Sequence, residues 1–252
     1  MRRGKAGVLS RGGWVLESTD LEQLERIWSD VIDQLEYEAG PLGPSPVIID
    51  GGANVGVASH FFQERYPDAL ILAFEPGPET FSSLKRNLAR NRMDRVLPFR
   101  AAIAAKTGQM PFFVMARGSW GDALVRHGWM EDASTSEIRV PTVRLSSLLS
   151  GPVDLLKLDI EGVEADVLDE AWLRLSNVRR LVMEVHGSSA NPSNTIERIV
   201  RRLSLAGFAY AMWQGDRDVD LDSMERTDPY WLIVRAWRRD DPLGGKHWPG
   251  VR

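Results

Sequence analysis

The chain of 252 residues contains no cysteine, which excludes disulfides, thiolate metal sites and a cysteine nucleophile, and gives no sign of an oxidising compartment. It has no run of about eighteen apolar residues, the length that a bilayer-spanning helix needs. The basic opening MRRGKAGVLSRGG is not followed by the apolar stretch of a signal peptide. A cytoplasmic protein with no membrane partner is therefore expected. An excess of either charge is also missing: 31 Lys and Arg face 35 Asp and Glu, a formal net charge of −4, so nothing gathers phosphate backbones and no nucleic-acid partner is expected. What the chain does have is a hydrophobic fraction of 43%, enough for one sizeable core, and a homo-oligomer is compatible with it.

Periodicity divides the chain into parts of one domain. From Asp20, the residues Leu21, Leu24, Ile27, Trp28, Val31, Ile32 and Leu35 recur at helical spacing, and Pro41, Gly43, Pro44 and Pro46 end the helix. Residues 1–46 thus read as an N-terminal helical extension, 47–237 as the main core and 238–252 as a loose tail. In the core, short apolar runs alternate with helical patterns: Val47-Ile48-Ile49 before Val57, Phe61 and Phe62, then Leu70 to Phe74 before Phe81, Leu84 and Leu88. A third strand is predicted over Val96 to Ala102, and an extended stretch over Met110 to Met115. Further on, Val153 to Asp159 precedes a helix around Val163, Val167, Trp172 and Leu175, and Leu181 to His186 precedes one around Ile196, Ile199, Val200 and Leu203. This alternation predicts an α/β fold with a doubly wound, mostly parallel sheet. Phe208 to Trp213 and Tyr230 to Ala236 have no helix between them and should pair antiparallel. The segment 116–136, with Trp120, His127 and Trp129, reads as a long loop or lid.

Polar side chains collect where the apolar runs stop. Asp50, Glu75, Asp159, Glu184 and His186 all stand at strand ends, the edge at which open α/β sheets bind ligands. The turn Asp50-Gly51-Gly52-Ala53-Asn54-Val55-Gly56 lets the backbone approach a ligand closely and starts a helix. Its Gly51-x-Ala53-x-x-Gly56 spacing also resembles a degenerate dinucleotide fingerprint, but a carboxylate just before the turn suits a cationic amino group better than a pyrophosphate. Glu75 lies where an acid can accept hydrogen bonds from both hydroxyls of a ribose. Lys157 and Asp159 share one strand face and can pair, as do Glu184 and His186. Glu161 and Glu164 are expected in the first turn of the next helix, where Glu164 reads as ordinary helix-end electrostatics. His60 and His247 read as structural or solvated.

These pieces together resemble the FkbM family of methyltransferases within the seven-stranded Rossmann-like class, which carries an antiparallel strand pair at its C-terminal end. The matching residues are Ile49 to Gly56, then Phe74-Glu75-Pro76-Gly77-Pro78 with Phe81, Leu84 and Asn87, then Asp154 to Glu164, and Glu184-Val185-His186. The resemblance implies S-adenosyl-L-methionine as cofactor. Asp50, Gly51, Gly52, Ala53, Asn54 and Gly56 would hold its methionine part, Glu75 beside Pro76 its ribose, and Ala102 and Ile103 would flank its adenine, with Asp159 near the junction. It also implies O-methylation of a sugar, glycoside or polyketide-type small molecule. The chain departs from the family at Arg144-Leu145-Ser146, where Thr-Leu-Asp is common, and over 116–136.

Two routes would activate the acceptor hydroxyl. His186, oriented by Glu184, could take its proton while Asp159 and Glu161 shape the acceptor side. Alternatively Asp159, Glu184 and His186 could share a divalent cation that lowers the hydroxyl pKa. Rival readings are an N-methyltransferase on the same fold, a nicotinamide-dependent oxidoreductase, or a scaffold that binds cofactor without turnover.

Overall fold

The computed structural model of the protein describes residues 5–115, 121–126, 130 and 134–245. Trp120, His127, Trp129 and His247 lie outside the described residues. The chain opens on a feature absent from the expected helical extension, a hairpin of β1 (Gly7–Arg11) and β2 (Trp14–Ser18). Its turn is Gly12-Gly13, both at positive φ, where a side chain would be strained. Asp20 then caps α1 (Leu21–Trp28) by accepting from the backbone N–H of Gln23 at 3.1 Å, and a π-turn over Ser29–Asp33 prolongs it.

The central sheet is built from β3 (Val47–Gly51), β4 (Leu70–Phe74), β5 (Val96–Phe99), β9 (Val153–Leu158), β10 (Val178–Gly187), β11 (Phe208–Gln214), β12 (Arg217–Val219) and β13 (Tyr230–Arg238). Its order is β12-β11-β13-β10-β9-β3-β4-β5. Strands β10, β9, β3, β4 and β5 run parallel, while β13 is antiparallel to both β10 and β11. The eighth strand beyond the expected seven is β12, a three-residue edge piece. The predicted third strand is split: Ala101 N–H folds back onto Phe99 O, and Ala102–Ala104 leaves as β6 to join β7 (Gly108–Met115) and β8 (Thr135–Arg144) in a separate sheet.

Strand side chains alternate between two cores. Ile49, Leu156, Leu158, Met183 and Val185 face α4 (Leu145–Leu148), α5 (Glu164–Glu170), α6 (Ile196–Leu205) and the small sheet. Ile48, Leu155 and Val182 face the other way, toward β2, α1, α2 (Val57–Arg65) and α3 (Pro78–Arg90). By the same alternation Asp50, Lys157, Asp159, Glu184 and His186 all fall on the side that the N-terminal extension covers.

Two asparagines one helical turn apart, Asn87 on α3 and Asn91 at its C-cap, fasten the hairpin. Asn87 and Asn91 pair with the backbone of Glu17 and Val15, each side chain accepting from N–H and donating to C=O, as a neighbouring strand would. Asn87 also donates to Val55 O at 2.9 Å, tying the hairpin to the glycine turn. The stretch after α1 is pinned by two arginines: Arg235 donates to Leu35 O and Glu36 O, and the buried Arg180 donates to Ala39 O and Pro41 O. Arg180 and Arg179 also grip Asp241, so the tail expected to be loose is anchored there. Asp241 is accordingly held low, at about 2; burial opposes this but the two guanidiniums outweigh it. No helix among the described residues is long and apolar enough to cross a membrane.

Candidate active site

Chain order reverses between β3 and β9, whose register pairs Asp50 with Lys157 and Gly51 with Leu158. The crevice beyond these two strand ends is where such sheets take ligands. Gly52 sits at φ +77 with the Asp159 carbonyl so close that an added Cβ would lie 1.8 Å from its oxygen. The two loops therefore touch backbone to backbone, which only glycine allows.

Asp50, expected to face a cationic ligand, instead lies wholly buried beneath the crevice. It accepts from Ser59 Oγ at 2.7 Å and lies 3.4 Å from Lys157 Nζ. A carboxylate with no solvent needs such partners, and Lys157 spends its ammonium on it, on the Gly51 and Gly52 carbonyls and on Asp159. Burial alone would lower the Lys157 pKa, but Asp159 and Asp50 more than compensate and raise it. Gly51 and Gly56 are likewise structural: one packs against Ile103 and Leu158, the other turns at φ +100 against Leu84.

Two openings meet at Gly52, Asp159 and Glu161. The first is a narrow cleft lined by Glu75, Pro76, Ala102, Ile103, Phe112 and Leu124, with Asp122 beside them. Glu75 is fixed by the N–H groups of Gly77 at 2.7 Å and Asn54 at 3.0 Å. Burial dominates all the same and pushes its pKa up to about 8; burial likewise raises Asp122 to about 7.

The second opening is a cavity of about 480 Å³. Its floor carries Gly52, Ala53, Asn54, Asp159, Glu161, Glu184 and His186. Its opposite wall comes from the extension: Arg26, Ile27, Asp30, Glu36 and Tyr37. His186 is 6% exposed and surrounded by carboxylates, with Nδ1 3.4 Å from Glu164 and Nε2 3.2 Å from Glu184 and 3.5 Å from Glu161. Burial works against the imidazolium, yet Glu161, Glu164 and Glu184 prevail and hold its pKa well above the usual value. Glu184 is correspondingly lowered by His186 against the effect of burial, whereas Glu161 and Glu36 are pushed well up, chiefly by burial. Tyr37 donates its hydroxyl toward Asp159 Oδ2 at 3.3 Å and Glu184 Oε2 at 3.4 Å.

The family model described as the methyltransferase FkbM domain matches residues 50–210. The chain belongs to the FkbM methyltransferase family. Methyltransferase 1 of Beauveria bassiana is 26% identical to it over 221 residues, covering 77% of this chain and 84% of that protein. The 31-O-demethyl-FK506 methyltransferase FkbM of Streptomyces tacrolimicus is 30% identical over 177 residues, 58% of this chain and 67% of that protein. Among solved structures, the M. jannaschii TYW2 complex with AdoMet superposes with a TM-score of 0.51 at 15% identity, over 94% of this chain and 87% of that one. That likeness concerns the fold. This FkbM-family protein is thus an S-adenosylmethionine-dependent methyltransferase.

Several residues that line the openings of this FkbM enzyme escape a sequence reading. Arg26, Asp30, Glu36 and Tyr37 precede the matched region and look like the polar face and frayed end of a helix. Asp122 lies in a stretch without periodicity. Glu161 is not in the first turn of a helix: it sits at φ +56 before Gly162 at φ +96, a left-handed pair that delays α5 to Glu164. Glu164, which reads as ordinary helix-end electrostatics, is instead fully buried against His186 and Asn194. Its burial, invisible in sequence, is what changes its meaning.

Proposed function

We propose that this enzyme methylates a hydroxyl of a small polar molecule seated in the 480 Å³ cavity. The observation that carries the reading is the meeting of two unlike openings at Gly52, Asp159 and Glu161. One offers apolar walls and a fixed acid suited to a nucleoside. The other offers carboxylates and an imidazole suited to a hydroxylated acceptor. Oxygen is favoured as the accepting atom because the cavity groups can take a proton from an alcohol, a poor nucleophile until it loses one. The name of the 31-O-demethyl-FK506 methyltransferase also places the methyl group on oxygen in that relative.

In this reading Glu75 accepts from the ribose hydroxyls, Ala102, Ile103, Phe112 and Leu124 enclose the adenine, and Asp122 stands where an exocyclic amine would reach it. Gly52, Ala53 and Asn54 carry the methionine end, with Asp159 at the junction. S-adenosylmethionine supplies, when bound, a methyl group on a sulfonium whose C–S electron pair stays with sulfur as the new bond forms. Asp159 and Glu184 orient the acceptor hydroxyl and draw off its proton, while His186, held protonated by the carboxylates around it, steadies Glu184 and is not itself the base expected from the sequence. Ile27, Val31 and Tyr37 cover the junction and exclude water that would compete for the methyl group.

Incubation with labelled cofactor and a panel of polyols, hexuronic acids and macrolide alcohols tests the reading. A methyl ether as product is expected. Methylation confined to amine acceptors would replace oxygen by nitrogen, and cofactor binding with no product across the panel would leave a scaffold.

A pH dependence follows from Glu75. Its pKa of about 8 means that the unliganded carboxyl holds a proton at neutral pH, whereas two ribose hydroxyls require the ionised form. Affinity for the cofactor should therefore weaken as pH falls below about 8, by up to about tenfold per unit, and be flat above it. Calorimetric titration across this range checks it, and in Glu75→Gln the slope should vanish along with most of the affinity.

A further inference from the structure

We infer that Asp159, Glu184 and His186 form a binding site for a hard divalent cation on the floor of the acceptor cavity. One donor atom from each lies within 4.8 Å of the other two. Two ligands held about 2.1 Å from one ion are at most about 4.2 Å apart, so a pair at 4.8 Å closes by about 0.6 Å or more, while Glu184 Oε1 and His186 Nε2 already stand 3.2 Å apart. Two carboxylates suit a hard ion and the imidazole a borderline one, so manganese fits the mixed set better than magnesium, and the three leave positions open for other oxygens.

The surroundings of His186 point the same way. A carboxylate only accepts, so Glu164 fixes a proton on Nδ1 and directs Nε2 into the cavity. Glu164 is itself completely buried and held by Gly162 N–H at 3.0 Å and Asn194 Nδ2 at 2.5 Å, and Asn194 also donates to His186 O at 2.8 Å. A carboxylate behind the remote ring nitrogen is the arrangement that orients a metal-ligating histidine. Tyr37, across the cavity, has one hydroxyl proton to offer to either Oδ2 of Asp159 at 3.3 Å or Oε2 of Glu184 at 3.4 Å.

Lys157 reaches Asp159 from below but also holds Asp50 and the Gly51 and Gly52 carbonyls. A divalent cation at this point takes the place of the proton that His186 Nε2 presents to Glu184 at 3.2 Å. Resting on the proposed O-methylation, it also names the acceptor class: a hydroxyl with a second oxygen on the neighbouring carbon, a vicinal diol or a hydroxy acid, whose two oxygens fill the open positions and whose hydroxyl is acidified there.

The test is Mn2+ added to chelator-treated full-length protein in the presence of S-adenosylhomocysteine, followed by calorimetry and electron paramagnetic resonance. One Mn2+ per chain is expected, with nitrogen coupling from an imidazole. Asp159→Asn and His186→Gln should abolish it. Glu164→Gln, a change at a positioning residue, should weaken Mn2+ binding by about 10–100-fold while S-adenosylhomocysteine still binds as before. Absence of stoichiometric Mn2+ from the wild-type protein, or a bound ion without nitrogen coupling, overturns the site, and neither outcome depends on a variant that folds. A protein that binds Mn2+ here yet methylates no hydroxyl keeps the site and loses the proposed function; methyl ether formation at full rate with no Mn2+ bound does the reverse.

Discussion

The His186→Ala protein is expected to bind S-adenosylmethionine as the wild type does and to turn over about 10²–10⁴-fold more slowly, the range spanned by loss of acceptor proton handling, which His186 supports through Glu184. The separation of the two effects follows from placement. His186 lines the larger cavity and not the narrow cleft proposed for the cofactor, and it rises from β10, one strand further along the sheet than the β3–β9 junction. Single-turnover rates with saturating cofactor, alongside calorimetric affinity, measure both quantities. Loss of affinity in step with rate would instead make His186 a prop for the 159–162 loop, acting through its contact with Glu161. Rate near wild type would remove it from the chemistry under either route of hydroxyl activation.

What could be read in advance divides along a physical line. Strand and helix assignments rest on local period, so the order of β3, α2, β4, α3, β9, α5, β10 and α6 was legible, as was the antiparallel return through β11 and β13. The strand-end acids were legible for the same reason, since an apolar run that stops at Asp159 or Glu184 marks the edge where ligands bind. What local pattern cannot carry is the partner of a side chain. Asp50 looks like a ligand acid until Lys157 and Ser59 are found above and beside it. Glu164 looks like a helix-start charge until Asn194, thirty residues later, is found against it. The wall opposite the floor was the least legible part, because Glu36 and Tyr37 lie in a stretch pinned at Leu35, Glu36, Ala39 and Pro41 by the distant Arg180 and Arg235. Both arginines lie in β-strands that a sequence reading treats as core.

Gly52→Ala should be the most damaging single methyl group in the protein. The residue sits at φ +77, where an alanine costs about 1–3 kcal/mol from backbone strain alone. The larger penalty is steric: the new Cβ would lie 1.8 Å from the Asp159 carbonyl oxygen and 2.9 Å from its carbon, and neither is the end of a flexible side chain. Something must move, and both candidates carry function. If the 52–54 loop retreats, its N–H groups lose their hold on Phe74 O and on Glu75; if the 159–162 loop retreats, Asp159 and Glu161 leave the junction of the two openings. A displacement of about 1 Å at such a junction is worth on the order of 100-fold in rate. The variant should therefore fold with reduced stability, show little heat on titration with S-adenosylmethionine, and yield product at or below about a hundredth of the wild-type rate. Ala53→Gly next door places no atom against Asp159, so it should retain cofactor binding; equal loss in both variants would mean that loop flexibility, and not the close approach of the two backbones, governs this site.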